Sequence, residues 1–275
     1  MIHLLNKPKN ITSFKFIKTF ANELGVKKIG HTGTLDPMAT GLMLVCTGDD
    51  TKFIPYIENG EKEYLAQMVL HKNSDTYDTD GQVIQMPVVK LSDEEIFSTI
   101  NSFVKKYDQL PPIFSAKKIN GKRAYDLARQ GKEVKLKTSK VDIIKIWDIE
   151  KNNDHTFSFK VRVSKGTYIR SLIYDIGQAL NTYALMSELR RIQIHNLSVE
   201  DIGSVNVEEL INIPPMEINK NLLIELLNGK KDLIIEAKDG KYLIRFNNSI
   251  VGIMSVEKNK INVIKILGNK VNECM

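Results

Sequence analysis

The segment Gly30-His31-Thr32-Gly33-Thr34-Leu35-Asp36-Pro37-Met38-Ala39-Thr40-Gly41 sets one carboxylate among small residues. Pro37 restricts the residue before it to extended backbone, so Asp36 is presented in a defined pose. The three glycines let another backbone approach closely. A carboxylate held this way can act as a nucleophile or as a base. Read from its neighbours alone it can equally well just close a turn, the commoner fate of Asp-Pro. The loop has no Lys after its glycines and lacks the dinucleotide glycine spacing, so ATP and NAD chemistry gain no support.

Three further segments carry chemistry-bearing residues. Lys165-Gly166-Thr167-Tyr168-Ile169-Arg170-Ser171-Leu172 reads as a strand-to-helix junction with Arg170 in the first helical turn. A cation there opposes the helix dipole, which points to a carboxylate or phosphate partner as against a solvated surface arginine. Tyr64 heads an amphipathic strand, where a tyrosine packs more often than it catalyses. The segment 109–131 mixes Phe114, Lys117, Lys118, Lys122, Arg123, Tyr125 and Arg129. That composition suits an RNA backbone with splayed bases, or a solvated charged helix.

The elements that must position these groups follow from periodicity. Ile2 to Leu5 predicts a strand stopped by Lys7-Pro8. Thr12 or Ser13 caps a helix with Phe16, Ile17, Phe20 and Leu24 at helical spacing, ended by Gly25. Leu42 to Cys46 reads as a buried strand, Glu63 to Leu70 as a second, and Asp75 to Gly81 as a turn. Ser92 with Glu95 is a capping box opening a helix to about Tyr107. Extended runs over Glu133–Glu150 and Thr156–Ser164 flank an Asn-Asn-Asp turn. A helix over Thr167–Leu180 and a strand over Glu188–Leu197 follow. Beyond Ile213-Pro214-Pro215 come a short helix around Leu222–Leu227 and short strands at Tyr242–Phe246, Ser249–Val256 and Ile261–Ile266, a small β-rich tail.

Composition sets the class. With 275 residues, 42% of them hydrophobic and 26% charged, the chain can bury a sizeable core. Lys and Arg outnumber Asp and Glu by 39 to 33, and the pI near 9.0 fits either a basic surface or a polyanion partner. Cys46 and Cys274 are isolated and the five histidines scattered, so no zinc spacing is present. No signal peptide or membrane-length apolar run is seen, which predicts a cytoplasmic protein with no membrane association.

Taken in order, these segments resemble the bacterial TruB-type transfer-RNA pseudouridine synthases. The resemblance rests on Lys7-Pro8, the Gly30–Gly41 loop, Tyr64, the Asp75–Gly81 turn, Gln109-Leu-Pro-Pro-Ile-Phe-Ser-Ala-Lys-Lys-Ile-Asn-Gly, Lys165–Leu172 and Leu189-Arg190-Arg191, over roughly the first 200 residues. It implies an α+β pseudouridine synthase fold: a central mixed, mostly antiparallel sheet flanked by helices, with a small C-terminal PUA-like module. Residues 1–213 would be the catalytic domain, 109–131 a thumb-like RNA-binding insertion, and 219–275 the module, reduced relative to many family members.

The resemblance implies that Asp36 is the catalytic aspartate for conversion of a T-loop uridine, position 55, to pseudouridine. Arg170 would keep it ionised and oriented, and nearby cations would hold its pKa down. Tyr64 would stack on the flipped base and could serve in proton removal from C5. His31 would enter the RNA loop, Lys7 and Pro8 would shape the pocket floor, and Leu189 would line it. Gly33, Thr34, Lys117, Lys118, Arg123, Tyr125, Arg129 and Tyr168 complete the expected substrate contacts. No cofactor or metal is expected, the partner is the tRNA T-arm, and a monomer without an obligate protein partner is expected. The alternatives are an RNA-guided enzyme inside an assembly and, outside catalysis, a tRNA-binding or RNA-folding factor.

Overall fold

The computed structural model describes the chain except residues 58, 59, 116, 120, 125, 126, 128, 129, 131–133 and 135, and gives only the backbone of 118, 119, 122 and 123. The amino-terminal part supplies β1 (Ile2–Lys7), α1 (Ser13–Glu23), β2 (Ile29–His31), β3 (Thr40–Thr47) and β4 (Lys62–Leu70). Thr12 caps α1 by accepting from the Lys15 amide. Its buried stripe is Ser13, Ile17 and Ala21, whereas Leu24 is 41% exposed, because the chain turns away at Gly25. β1 runs two residues beyond the expected strand and takes Lys7 into the interior.

The middle of the chain supplies β5 (Lys72–Asn73), β6 (Ile84–Gln85), α2 (Asp93–Ser102), β7 (Lys106–Gln109), β8 (Lys118–Ile119), β9 (Lys122–Arg123), β10 (Ser139–Asn153), β11 (Thr156–Val163), α3 (Ile169–Ala179), β12 (Ala184–Ile194) and β13 (Gly203–Val205). The Ser92–Glu95 capping box opens α2 as expected. The helix stops at Ser102, however, and does not reach Tyr107. Residues 106–109 pair antiparallel with β10, so a long-range ladder overrides the local helical spacing of Val104 and Tyr107. Of the extended run expected over Glu133–Glu150, residues 133 and 135 lie outside the described residues, and the strand described there spans Ser139–Asn153.

Among the described residues the largest sheet has nine strands, in the order β13-β1-β3-β12-β4-β11-β10-β7, with β2 paired to β3. Every pairing in it is antiparallel except β3 with β12. The mixed, mostly antiparallel sheet expected from the sequence is therefore present. At the parallel crossing Gly41 has φ +104°, and a Cβ there would stand 2.2 Å from the Arg191 carbonyl oxygen. Only glycine permits that approach.

The tail supplies β14 (Pro215–Glu217), α4 (Lys220–Leu227), β15 (Gly240–Phe246), β16 (Ser249–Glu257), β17 (Lys260–Ile266) and α5 (Gly268–Cys274), with the strands in a second, four-stranded sheet. The large sheet is covered on one face along its length and on the other where β1 and β3 lie. One face packs Met43, Val45, Tyr64, Ala66, Phe159 and Leu189 against Ile17, Ile96 and Ile173 of the helices. The other packs Ile2, Leu4, Leu42 and Leu44 against Leu243, Ile250, Ile253 and Leu267 of the tail. Strand β3 thus reads as one apolar run because both of its faces are covered.

Candidate active site

Asp36 lies in the loop between β2 and β3, on the helix-covered side of the large sheet. Three side chains fix that loop through its backbone. Buried Ser13 donates to the Leu35 carbonyl at 2.7 Å and accepts from the Leu35 amide at 2.9 Å. Lys7, fully buried, donates to the carbonyls of Pro8, Ile11 and Pro37 at 2.9, 2.9 and 3.2 Å. Arg191 donates from Nε to the Leu42 carbonyl at 2.6 Å and from Nη2 to the Gly33 carbonyl at 3.1 Å. With Pro37 restricting its backbone, Asp36 is clamped on either side. Backbone groups taken out of water in this way need such partners.

The carboxylate meets Arg170, at the start of α3. Nε stands 3.0 Å from Oδ2 and Nη2 donates to Oδ1 at 3.2 Å, a two-pronged pair. The guanidinium also donates to the carbonyls of Thr76 and Phe114, both at 3.0 Å, and its Nη1 lies 3.4 Å from Asp78 Oδ2. A cation in the first helical turn is thereby explained: it joins the Asp36 loop, the 75–81 turn and the base of the 109–131 segment. Tyr168, which precedes α3, is held by Gln109, whose amide oxygen accepts from its N–H at 2.8 Å and whose amide nitrogen donates to its carbonyl at 3.1 Å.

Burial pushes the Asp36 carboxyl above its ordinary range, further than Arg170 pulls it down, and Asp78 and Asp80 add to the rise. This corrects the expectation that neighbouring cations hold it low: Arg170 serves two carboxylates, and the enclosing loop removes water. One third of the Asp36 side chain remains exposed, against 6% for Arg170. The carboxylate is the part of the pair that faces outward. Lys7 is pulled down to about 8 by burial, opposed by Asp36 and Asp80.

Tyr64 is buried on β4, directly across from Arg191 of β12. Leu189 lies two residues before Arg191 on the same face, opposite Ala66, and packs in one cluster with Tyr64, Leu35, Met38 and Ile169. Arg170, Lys7 and Tyr168 thus lie near Asp36, while Tyr64 and Leu189 share the core cluster of its neighbours Leu35 and Met38. His31 is half-buried on β2 opposite Val45, Gly33 is half-buried, and Pro8 and Thr34 are exposed. Lys117 is turned to the Lys137 carbonyl at 3.0 Å and the Ser139 hydroxyl at 2.5 Å. Lys118 and Arg123 pair through their backbones in β8 and β9. Tyr125 and Arg129 lie outside the described residues.

Sequence reasoning missed Ser13, Asp78 and the clamping role of Arg191. Ser13 was visible only as a capping residue, and Asp78 only as a turn former. Among the described residues no group of His, Cys, Asp and Glu is arranged to hold a metal ion, and no helix is long and apolar enough to cross a membrane.

The chain matches known proteins over most of its length. Residues 21–169 match the family model described as TruB family pseudouridylate synthase, N-terminal domain, and residues 170–227 match the tRNA pseudouridylate synthase B C-terminal domain. The tRNA pseudouridine synthase B of Mycoplasmopsis pulmonis is 43% identical across 100% of this chain and 98% of that protein. The protein of the same name from Clostridium tetani is 40% identical across 92% and 91%. Among solved structures, the archaeal box H/ACA sRNP Nop10–Cbf5 complex aligns with TM-score 0.64 and 21% identity over 97% of this chain and 85% of that one, which is a likeness of fold. The chain belongs to the TruB family of pseudouridylate synthases.

Proposed function

We propose that this chain converts a uridine in the T-loop of transfer RNA, position 55, to pseudouridine. The observation that carries the proposal is the Asp36 carboxylate, fixed by Arg170 yet open to solvent on one side, at an apolar wall containing Tyr64 and Leu189. The reaction breaks the C1′–N1 bond, turns the base, joins C1′ to C5, and moves a proton from C5 while N1 gains one. It consumes no electrons and no phosphate.

Asp36 acts on the flipped nucleotide as nucleophile or base, and Arg170 orients it. Tyr64 stacks on the base and is the candidate to accept the C5 proton. Extruding a base costs a few kcal/mol, and stacking it on an aromatic returns about 1–3 kcal/mol. Lys7 and Pro8 shape the pocket floor, His31 enters the RNA loop, and residues 109–131 close over the T-arm. We read residues 1–213 as the catalytic unit, 219–275 as a shortened PUA-like module, and the protein as a cytoplasmic monomer that acts without an obligate protein partner.

The test is an incubation of the purified protein with an unmodified T-arm stem-loop RNA, with pseudouridine mapped by carbodiimide-dependent primer extension. The wild type marks the T-loop uridine; Asp36→Asn binds the RNA and marks nothing. RNA binding by both proteins with no mark from either would make the chain a binding or folding factor instead.

A further inference from the structure

A second group of charges lies beside the Asp36 loop. Arg191 is 2% exposed, yet among the described residues no carboxylate pairs with it. Two of its nitrogens hold the Leu42 and Gly33 carbonyls. Its third, Nη1, stands 3.5 Å from where a Gly33 Cβ would be, and the Cε of Lys62 stands 3.8 Å from the same point. Lys62 likewise has no carboxylate partner among the described residues. The acids next to it in sequence, Glu61 and Glu63, turn to Arg162. Lys165 is exposed two residues after Val163, the residue of β11 that pairs with Lys62, and adds to the positive charge around the Lys62 ammonium.

Gathering cations around one glycine without an anion is unfavourable, and burial makes it worse. The Lys62 ammonium is accordingly pulled down to about 8, first by burial and then by Arg191 and Lys165. An arrangement of this kind is completed by an anion from outside the chain. Its position identifies that anion. β4 is regular through this stretch, so Lys62 shares a face with Tyr64 two residues on, roughly 6–7 Å along the strand. That is close to the reach from a stacked base to its own backbone phosphate.

We infer that Lys62, Arg191 and Lys165 form a binding site for one RNA backbone phosphate adjoining the extruded nucleotide, with Gly33 left bare so that the phosphate can approach. This rests on the reading of Asp36 and Tyr64 as the site of the flipped uridine, and it adds where the strand runs. Lys62 and Lys165 make the phosphate contact from the open side. Arg191 contributes Nη1 while its other nitrogens hold the loop, so binding the strand and ordering the Asp36 loop are coupled.

The experiment measures affinity for fluorescently labelled T-arm RNA by anisotropy across a salt series, for the wild type and for Lys62→Gln, Lys62→Arg and Lys165→Gln. One lost phosphate contact lowers the slope of log affinity against log salt by roughly 0.7–0.9, equivalent to a change of about threefold between about 50 and 200 mM. Lys62→Gln shows that loss, Lys62→Arg restores the slope, and an RNA with a neutral methylphosphonate beside the target uridine abolishes the difference between wild type and Lys62→Gln. Lys165→Gln, at an exposed position, repeats the test should Lys62→Gln fail to fold. Unchanged slopes for both Gln variants, in a preparation whose wild type converts the uridine, overturn the phosphate site alone. A wild type that converts no uridine overturns the reading on which the site rests.

Discussion

Replacing Arg170 with Met deletes a guanidinium that meets both oxygens of Asp36, Oδ2 of Asp78, and the carbonyls of Thr76 and Phe114. Removing one partner of a buried ion pair costs about 3–5 kcal/mol, because the charge left behind stays buried. Two features place this case at the lower end. Asp36 keeps a third of its side chain in solvent. Asp78 keeps the Thr76 hydroxyl at 2.5 Å and the Asp80 amide at 3.0 Å. About 3 kcal/mol is therefore expected from the general cost of an orphaned pair, which for a chain of this size lowers Tm by roughly 6–12 °C. Circular-dichroism melts supply the measurement, with Asp36→Asn and the double variant melted alongside. Once Arg170 is gone the Asp36 charge is a liability, so adding Asp36→Asn recovers about 1 kcal/mol, within the coupling range expected for contacting residues. A Tm within about 2 °C of wild type, or strictly additive losses in the double variant, would refute the coupling.

Two other outcomes follow from the same geometry. Gly41→Ala places a Cβ 2.2 Å from the Arg191 carbonyl at φ +104°, where neither backbone can yield without parting β3 from β12; a loss of about 3 kcal/mol or failure to fold is expected, and a urea midpoint equal to wild type would contradict it. The pH dependence of kcat/KM follows from the raised Asp36 carboxyl. In the proposed mechanism the reacting form of Asp36 is the ionised one, so activity is lost as pH falls through its pKa, and burial moves that limb upward. Single-turnover rates should therefore decline on the acid side at a pH above the ordinary aspartate value of about 4, and a limb at or below that value would show that Arg170 outweighs burial.

The sequence displayed the candidate site groups more clearly than the scaffold around them. Asp36 stood out because Pro37 and small neighbours single it out, and Arg170 because a cation in a first helical turn needs a reason. Both arguments are local, and both groups meet in the folded chain. What stayed illegible depends on partners far away in sequence. The stop of α2 at Ser102 is decided by the pairing of residues 106–109 with β10. The need for glycine at 41 arises from Arg191, on a strand far later in the chain. Ser13 looks like any capping residue until Leu35 is brought to it. The raised Asp36 carboxyl was misjudged because nearby charge is visible in a sequence and exclusion of water is not. The tail was legible as strands, but not as the cover for Ile2, Leu4, Leu42 and Leu44.

The position of β12 between β3 and β4 has a consequence for how the protein is made. Asp36 and Tyr64 leave the ribosome early, but the strand that fills the gap between their flanking strands is translated more than a hundred residues afterwards. Until then β3 and β4 have no shared neighbour, and Gly33 lacks its Arg191 clamp. Pairing across so long a loop is slow to form, since its closure entropy is met before any contact rewards it. A nascent or prematurely terminated chain consequently carries the chemical groups without the site. A chain that ends before β12 lacks the strand that joins β3 to β4 and with it the Arg191 contacts to Gly33 and Leu42.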